Sequence, residues 1–428
     1  MTYLSTRGQS PVVDAQSALR AGAAPDGGLY LPLSLPEFSP KDFDDTPELP
    51  RLAARLLAPF FAGTDLADPL PQICGSAFNF PVPRVQLGET GPQVLELFHG
   101  PTGAFKDFGA RFLFRCFDAI ARTDDPITVL AATSGDTGGA VGCAAEGSRQ
   151  AGAVILFPKG RISPFQEHQL CCWNDPVRAL RVDGDFDACQ VLVKAAFADR
   201  DLSARHGLTS ANSISIGRLL PQMSYWAHAS LEIWRETGET PGLIIPTGNL
   251  GNAFAAVLAR DCGLPIGPIH LATNANATLS DWHITGRYAA RPSIATLANA
   301  MDVGAPSNFE RLNLHDPEAI HRVHRVEDHD IQTRIRQTFE DEGYIACPHT
   351  ATALEAYHRL PDAQREARPW LVGATADPYK FAETVEAVIG ETPPLPPALA
   401  EVKQRPARVS DIPADLDALA EALNLQPA

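Results

Sequence analysis

The residues best suited to chemistry include a lysine set among aromatic residues and glycines. In "ELFHGPTGAFKDFGARF", Lys106 stands between Phe105 and Asp107. A lysine among Phe98, Phe105 and Phe108 can have a depressed pKa, which is what an amine needs to form a Schiff base. The alternative is an ordinary lysine on an amphipathic helix, whose stem lies along apolar side chains while its amine reaches water. This segment alone favours the alternative.

Two glycine-rich turns have the composition of anion-binding sites. In "GLIIPTGNLGNAFAAV" an apolar run is followed by the turn at residues 248–252 and then by a helix-forming run. Such a turn exposes backbone N–H groups at the positive end of a helix dipole. "ATSGDTGGA" offers Thr133, Ser134 and Thr137 in the same context. In both cases an ordinary strand-to-helix turn, with Ser134 or Asp136 capping the second helix, is the alternative.

A third donor set lies in "SANSISIGRLLPQ". Asn212, Ser213 and Arg218 together suit a phosphate or a carboxylate. The alternative is a surface arginine at the start of the helix that continues through "LLPQMSYWAHASLEIW". The segment itself leaves both interpretations open.

The histidine-rich stretch "HDPEAIHRVHRVEDHD" was considered as a metal site. His321, His324 and His329 are close in sequence, but Arg322 and Arg325 beside them favour a solvated, charged helix. We therefore expect no bound metal. The eight cysteines show no CxxC pair, which predicts reduced thiols in a cytoplasmic protein.

The whole chain limits the classes of partner. Its 428 residues allow two or three domains, and 35 Lys and Arg against 51 Asp and Glu give a net charge of −16. That field repels nucleic acids and anionic membranes. No segment approaches the roughly 18 consecutive apolar residues of a membrane span, so a cytoplasmic location is expected.

The elements that must position these residues alternate along the chain. Short aliphatic runs, Gly-rich loops and Ala-rich helical stretches follow one another, which predicts a parallel sheet covered by helices. Before this region, "ELPRLAARLLAPFF" predicts an amphipathic helix in a separate N-terminal layer. Near the C-terminus, "GETPPLPPALAEVKQRP" predicts an extended surface spacer and "DLDALAEALNL" a short helix that packs on the body.

Several motifs in this order resemble those of the threonine synthase family. They are "STRGQ", "APDGGLYLP", "FHGPTGAFKDFGARF", "ATSGDTGGA", "ANSISIGRLL", "LANAMDVGAPSNFERL", "PTGNLGN" and "PHTATAL". The resemblance covers essentially the whole chain and is to the longer bacterial and fungal form. It implies an α/β, fold-type II pyridoxal-phosphate enzyme, similar to the tryptophan synthase β subunit, with two parallel-sheet domains and an N-terminal extension.

The resemblance also implies domain limits and site residues. The extension would be residues 1–83, the catalytic core 84–390 with its smaller α/β domain at about 110–210, and the C-terminal segment 391–428. Lys106 would form the Schiff base with pyridoxal 5'-phosphate. The remaining implied residues are the phosphate cradle Gly248, Asn249, Leu250, Gly251 and Asn252, the pyridine partner Thr375, and the substrate-binding Thr133, Ser134, Thr137, Asn212, Ser213 and Arg218.

The implied reaction converts O-phospho-L-homoserine and water to L-threonine and phosphate, in a monomer or homodimer. The usual TAHPAKF motif reads "TADPYKF" here, so Asp377 and Tyr379 replace a histidine and an alanine, and Ser215 replaces an asparagine. These changes motivate an alternative, a paralogous lyase or replacement enzyme for a related phosphorylated or phosphonate amino acid. A protein that binds the cofactor or a nucleotide without catalysis is a third possibility.

Overall fold

A computed structural model of the chain describes residues 1–121, 125–133, 135–160 and 162–424. Ser134, one of the residues implied in substrate binding, lies outside these ranges. The strands are β1 (Thr2–Ser5), β2 (Val13–Asp14), β3 (Tyr30–Pro32), β4 (Arg84–Gln86), β5 (Gln93–Glu96), β6 (Ile127–Ala132), β7 (Ala151–Pro158), β8 (Val177–Asp183), β9 (Leu208–Thr209), β10 (Gly242–Pro246), β11 (Ile269–Thr273), β12 (Arg322–Arg325), β13 (Trp370–Ala374) and β14 (Ser410–Pro413).

Helices connect most of these strands. The α-helices are α1 (Ala15–Ala21), α2 (Leu49–Phe61), α3 (Leu70–Ala77), α4 (Lys106–Ile120), α5 (Asp136–Ala145), α6 (Pro164–Cys171), α7 (Phe186–Ala198), α8 (Arg200–His206), α9 (Ile216–Leu219), α10 (Met223–Thr237), α11 (Gly251–Asp261), α12 (Thr278–Thr285), α13 (Phe309–Asn313), α14 (Asp328–Glu342), α15 (Pro348–His358), α16 (Asp362–Glu366), α17 (Ala382–Ile389), α18 (Pro397–Gln404) and α19 (Leu416–Asn424). Short 3-10 helices lie at Pro40–Phe43, Leu220–Gln222, Asn299–Met301, Pro317–Ala319 and Pro378–Phe381.

The strands form three sheets. A three-stranded antiparallel sheet has the order β2-β1-β3, a six-stranded sheet the order β12-β11-β10-β13-β5-β4, and a five-stranded sheet the order β14-β8-β7-β6-β9. The six-stranded sheet is parallel except for β4, and the strand pairs of the five-stranded sheet are all parallel. The two parallel sheets confirm the expected α/β class.

The central strands are mostly apolar, as expected for a parallel sheet with helices on both faces. Every residue of β10, "GLIIP", of β11, "IHLAT", and of β13, "WLVGA", is buried. In register, Leu243 of β10 faces Ile269 on one neighbouring strand and Leu371 on the other. The sheet is therefore a rigid support whose carboxyl edge can carry polar loops.

Both parallel sheets direct the predicted site residues to their carboxyl edges, where ligands bind in open α/β sheets. In the six-stranded sheet, β10 leads into residues 247–252, the adjacent β13 into Thr375, and the next strand, β5, into the loop before Lys106. In the five-stranded sheet, adjacent β6 and β9 lead into Thr133 and into residues 210–213.

Two local predictions were wrong. The proline-rich C-terminal stretch is not extended throughout, because Pro397 occupies the first turn of α18, where a missing N–H costs no hydrogen bond. Residues 322–325 of the histidine-rich stretch form a strand, β12, where a charged helix was expected. This strand pairs with β11 and buries His324 against His270. Sheet pairing here overrides the local charge pattern.

The two helices expected near the ends of the chain are present. The N-terminal amphipathic helix is α2, and the C-terminal helix is α19, which buries Leu419 and Leu423. The eight cysteines, all within the described ranges, form no disulfide. Among the described residues, no side-chain cluster of three or more His, Cys, Asp or Glu could hold a metal ion, and no helix is long and apolar enough to cross a membrane.

Candidate active site

Lys106 is the first residue of α4 and follows a tightly held loop. The Asp107 carboxylate accepts hydrogen bonds from the Thr102 N–H at 2.9 Å and the Thr102 hydroxyl at 2.7 Å. Gly103 has φ 67°, a backbone conformation that favours glycine. The Phe105 N–H donates to the Thr375 carbonyl at 2.9 Å. These contacts hold the start of α4 against the segment that follows β13, so Lys106 and Thr375 are neighbours.

The surroundings of Lys106 are strongly charged for a buried site. Burial is the main cause that lowers the pKa of the Lys106 amine, and the Asp136 carboxylate opposes it. The positive charges of Lys380 and Arg218 lower the pKa of Lys106 further. A lysine with a depressed pKa has a larger neutral fraction, which is what a nucleophile and a proton acceptor require.

Residues 248–252 form a cradle between β10 and α11. Leu250 has φ 64°, which turns the chain sharply before α11 begins at Gly251. A Cβ at Gly248 would lie 2.9 Å from Val303 Cγ2 and 3.0 Å from Met301 Cα, so only glycine fits there. The first N–H groups of α11 lack intrahelical acceptors and are available to an anion.

Asn252 carries a polar atom that suits an anionic ligand. Its Oδ1 accepts hydrogen bonds from the Tyr225 hydroxyl at 2.6 Å and from Trp226 Nε1 at 2.8 Å, which fixes the amide orientation. Its Nδ2 is buried and finds no partner among the described residues. An unpaired buried donor costs about 1–3 kcal/mol, so a ligand oxygen at this position would be favourable.

The cradle is tied to the third donor set through Asn308. Asn308 Nδ2 donates to the Asn249 carbonyl at 2.9 Å and to the Ser213 carbonyl at 3.2 Å. The fully buried Arg311 donates to Asn308 Oδ1, to the Ile214 carbonyl at 2.7 Å and to the Tyr30 carbonyl at 3.0 Å. One polar network therefore joins the cradle, the 212–214 segment and the N-terminal sheet.

The 133–137 segment is partly engaged in its own turn. Thr133 Oγ1 accepts hydrogen bonds from the Gly135 N–H at 3.2 Å and from the Gly138 N–H at 3.0 Å. Thr133 thus caps the turn that leads into α5, whereas Ser134 and Asp136 were the caps considered from the sequence. Thr137 is half-buried and its hydroxyl makes no hydrogen bond to the described residues.

The 212–218 segment surrounds a buried cation. Arg218 lies in α9 and is buried against α4, where its guanidinium donates to the Ala211 carbonyl. Its Nε has no hydrogen-bond partner within the described part of the chain. Burial lowers the pKa of Arg218 to about 10, so it stays charged at neutral pH. Asn212 and Ser213 are half-buried.

Sequence reasoning missed several residues of this site. Asn308 and Arg311 belong to "GAPSNFERL" and Lys380 to "TADPYKF", segments that were noted as motifs without a role for these side chains. Asp136 was considered only as a cap. Each of these residues is a polar side chain inside a quoted motif. The residues that they contact lie far away in the sequence, so the motifs alone do not show their roles.

The chemical groups that the site residues supply fit pyridoxal phosphate. A half-buried lysine, a glycine-lined helix start with an unpaired Asn252 amide, and a buried Thr375 at the neighbouring strand end supply an amine, a phosphate site and a hydroxyl. Lys106, the cradle and Thr375 thus meet at one carboxyl edge. The donors of the second sheet approach the same region, because Lys380 beside Thr375 forms an ion pair with Asp136 of α5 at 2.7 Å.

Comparison with known proteins agrees with this fit. Residues 94–375 match the pyridoxal-phosphate dependent enzyme family, 2–78 the threonine synthase N terminus and 350–423 the threonine synthase C-terminal family. The chain is 38% identical to threonine synthase of Escherichia coli over 98% of both chains.

Solved structures give the same result for the fold. A structure of PLP-bound threonine synthase from Brucella melitensis is 33% identical, with a TM-score of 0.90 over 99% of this chain and 98% of that one. Threonine synthase from yeast is 28% identical, with a TM-score of 0.88 over 98% and 97%. The fold-type II prediction and the dependence on pyridoxal phosphate are confirmed. This chain belongs to the threonine synthase family.

Proposed function

We propose that the chain converts O-phospho-L-homoserine and water to L-threonine and phosphate. The observation that carries this proposal is the meeting of two separate anion sites around the half-buried amine of Lys106. The cradle at residues 248–252 suits the cofactor phosphate, while the buried Arg218 with Asn212 and Ser213 suits a second phosphate. A substrate that carries its own phosphate explains why two such sites are needed.

The proposed cofactor contacts follow the implied residues. Gly248, Asn249, Leu250, Gly251 and Asn252 would hold the cofactor phosphate, Thr375 its pyridine nitrogen and Lys106 its aldehyde carbon. When bound, the cofactor takes up negative charge that develops on the substrate carbons. A hydroxyl partner such as Thr375, unlike a carboxylate, does not favour a positive charge on the ring nitrogen.

The proposed substrate contacts lie on the other sheet. Thr133, Ser134 and Thr137 would bind the substrate carboxylate and assist with its phosphate, and the N–H groups at the start of α5 suit the same anion. Asn212, Ser213 and Arg218 would bind the phosphate. Because Thr133 Oγ1 already caps its turn, its contribution would come through the geometry of the backbone N–H groups.

Lys106 would be the proton carrier. Its amine would take one proton from the substrate Cα and one from Cβ, and would return one to Cγ and one to Cα. Phosphate would leave from Cγ with the electron pair of the broken C–O bond, and water would add its hydroxyl at Cβ while its remaining proton goes to the phosphate. A neutral amine is needed for the first of these transfers, and the depressed pKa of Lys106 supports that role. Approach of the two sheet edges over the substrate would exclude bulk water.

We further propose the domain limits 1–83, 84–390 with a smaller domain at about 110–210, and 391–428. Their support is that β4 begins the six-stranded sheet at Arg84 and that strands from 127–209 form most of the five-stranded sheet. The C-terminal segment contributes β14 to that sheet. We also propose that the protein is a monomer or a homodimer and that it is located in the cytoplasm.

The unusual residues that motivated the alternative substrate have structural contacts. Asp377 Oδ1 accepts a hydrogen bond from the Tyr379 N–H at 2.8 Å and so caps a 3-10 helix. The Tyr379 ring packs on Phe165, and its hydroxyl accepts from Lys403 Nζ at 2.9 Å. Ser215 occupies the N-cap position of α9, but its buried hydroxyl makes no cap hydrogen bond and has no partner among the described residues. These contacts give no specific support to the alternative.

The experiment is an assay of purified protein, supplied with pyridoxal phosphate, on O-phospho-L-homoserine. We expect phosphate and L-threonine in equal amounts. Phosphate release without threonine would favour the alternative lyase, and no turnover would contradict the proposal. A phosphonate analogue, which cannot release phosphate, should bind and inhibit without turnover.

A further inference from the structure

A second lysine, Lys380, is buried beside Lys106 and has no part in the reaction described so far. It lies in the 3-10 helix Pro378–Phe381, and its side chain is fully buried. A buried ammonium needs close partners because it has lost its water. Lys380 Nζ has two, the Asp136 carboxylate at 2.7 Å and the Thr102 carbonyl at 2.8 Å.

These two partners belong to segments that shape the site. Thr102 lies in the loop before Lys106, where its N–H and hydroxyl donate to the carboxylate of Asp107. Gln169 Nε2 also donates to the Thr102 carbonyl, at 3.2 Å. Asp136 is the first residue of α5. The Lys380 ammonium therefore joins the Lys106 loop, the start of α5 and the segment after Thr375.

The Asp136 carboxylate lies within the electrostatic reach of three cationic or titratable groups. Lys380 and Lys106 lower its pKa, against the effect of burial, and His349 contributes in the same direction. Burial lowers the pKa of His349 itself to about 4, so this ring is neutral at pH 7. The Lys380 ammonium and the protonated form of Lys106 are thus the cations that compete for Asp136.

We propose that Lys380 is a positioning residue: by pairing with Asp136 and holding the Thr102 carbonyl, it keeps Asp136 from pairing with Lys106 and leaves the Lys106 amine free to accept a proton. The inference rests on the proposed role of Lys106. It assigns a function to the lysine of "TADPYKF" through the geometry of a buried ion pair.

The charges around Lys106 determine the direction in which its pKa moves when Lys380 is replaced. Without Lys380, the carboxylate of Asp136 is uncompensated and favours the protonated form of Lys106, so the pKa of Lys106 rises. Arg218, the other cation near Lys106, opposes this rise and is unchanged. A base must be unprotonated to act, so the acid limb of the kcat/KM profile moves to higher pH. We expect a shift of about one to two pH units for the loss of one positive charge from this site.

The test uses the holoenzyme of Lys380→Met, Lys380→Arg, Asp136→Asn and the Lys380→Met/Asp136→Asn double variant. The visible absorbance of the lysine-bound cofactor is titrated with pH in the absence of substrate, and the pH profile of kcat/KM is then measured. Because the absorbance titration needs no turnover, it tests the role of Lys380 even if the enzyme does not catalyse the proposed reaction.

The Lys380→Met and Asp136→Asn variants are expected to shift the pH midpoints in opposite directions. Lys380→Met moves both midpoints to higher pH, Asp136→Asn moves them to lower pH, and the double variant returns toward the parent. Lys380→Arg, which keeps the charge, should restore most of the parent behaviour. If Lys380→Met does not fold, the downward shift in Asp136→Asn and its reversal in the double variant, which removes both charges of the pair, remain decisive.

A matched control removes a similarly enclosed ion pair elsewhere. Arg334 Nε and Nη2 both donate to Glu355 Oε2 at 3.0 Å between α14 and α15, with 12% and 15% of the side chains exposed. Arg334→Met should lower the stability of the fold without moving either pH midpoint. Midpoints within about 0.3 unit of the parent in both Lys380→Met and Asp136→Asn, or shifts of the same sign, would overturn the inference.

Discussion

The two halves of the candidate site differ in how firmly their side chains are held. On the cradle side, Asn252 is fixed by Tyr225 and Trp226, and the Asn249 carbonyl is fixed by Asn308. On the five-stranded side, the side chains of Thr137, Asn212 and Ser213 make no hydrogen bonds to the described residues. The difference fits the proposed roles, in which the cradle is preformed for a resident cofactor and the donor set is left open for a substrate that enters and leaves.

Lys106 belongs to both halves, so its replacement tests the site as a whole. Lys106→Ala should reduce turnover by about 10⁴-fold or more and abolish the visible absorbance of lysine-bound cofactor. The control is Lys159→Ala, which removes an exposed pair with Asp411 and should change kcat/KM by less than about twofold. Unchanged absorbance in Lys106→Ala would show that another amine binds the cofactor.

The proposed substrate side is tested by Arg218, which is buried and, unlike Asn212 and Ser213, donates a hydrogen bond, to the Ala211 carbonyl. Replacement of Arg218 by Met should lower kcat/KM for O-phospho-L-homoserine by about 10²-fold, because a charge-assisted contact to phosphate is lost. Cofactor affinity, measured by absorbance titration of the apoprotein, should stay within about threefold. A loss confined to cofactor affinity would reverse the assignment of the two halves.

Asn308 is the residue that joins the halves, and the Asn308→Asp variant separates its functions. The aspartate keeps an acceptor for Arg311 but loses the donor to the Asn249 and Ser213 carbonyls. We expect cofactor Kd and substrate KM each to rise about tenfold, with a smaller change in kcat. If only one of the two constants changes, the halves are held independently.

The preformed half is tested by Asn252. Asn252→Ala should raise the cofactor Kd by about tenfold through loss of one buried donor, and it also leaves Tyr225 and Trp226 without their acceptor. The KM at saturating cofactor should change little. A KM effect larger than the Kd effect would count against a cradle dedicated to the cofactor.

Tyr379 should give the smallest effect. Tyr379→Ala restores the family residue and removes contacts to Phe165 and Lys403, which costs about 1 kcal/mol of unfolding free energy. The KM for O-phospho-L-homoserine should stay within about twofold. A larger change in KM, or turnover of a different phosphorylated amino acid, would revive the alternative substrate.

Much of the fold could be predicted from the sequence because its local signals agree with one another. Apolar runs followed by glycine turns and helix formers identified β10 with α11 and β6 with α5, and the parallel class followed. The β12 strand was missed because its formation depends on pairing with β11. That partner is not visible in the local pattern of histidines and arginines.

The site was only partly predictable for the same reason. The cradle has a local signature, and Lys106 stood out only through its place in an ordered set of motifs. The Asn308, Arg311 and Lys380 contacts join segments that are remote in sequence, so no periodicity or spacing predicts them. Thr133 illustrates a different limit, because a hydroxyl beside a helix start can cap its own turn as readily as bind a ligand.

The position of β14 at the edge of the five-stranded sheet has a consequence for biosynthesis. β14 pairs with β8, so during translation the outer edge of β8 stays unpaired until residues 410–413 emerge from the ribosome. An open, parallel sheet edge is prone to association with other chains. The strands of the six-stranded sheet, of which β13 is the last in the chain, are all synthesised before β14, so the five-stranded sheet is the later of the two to be completed.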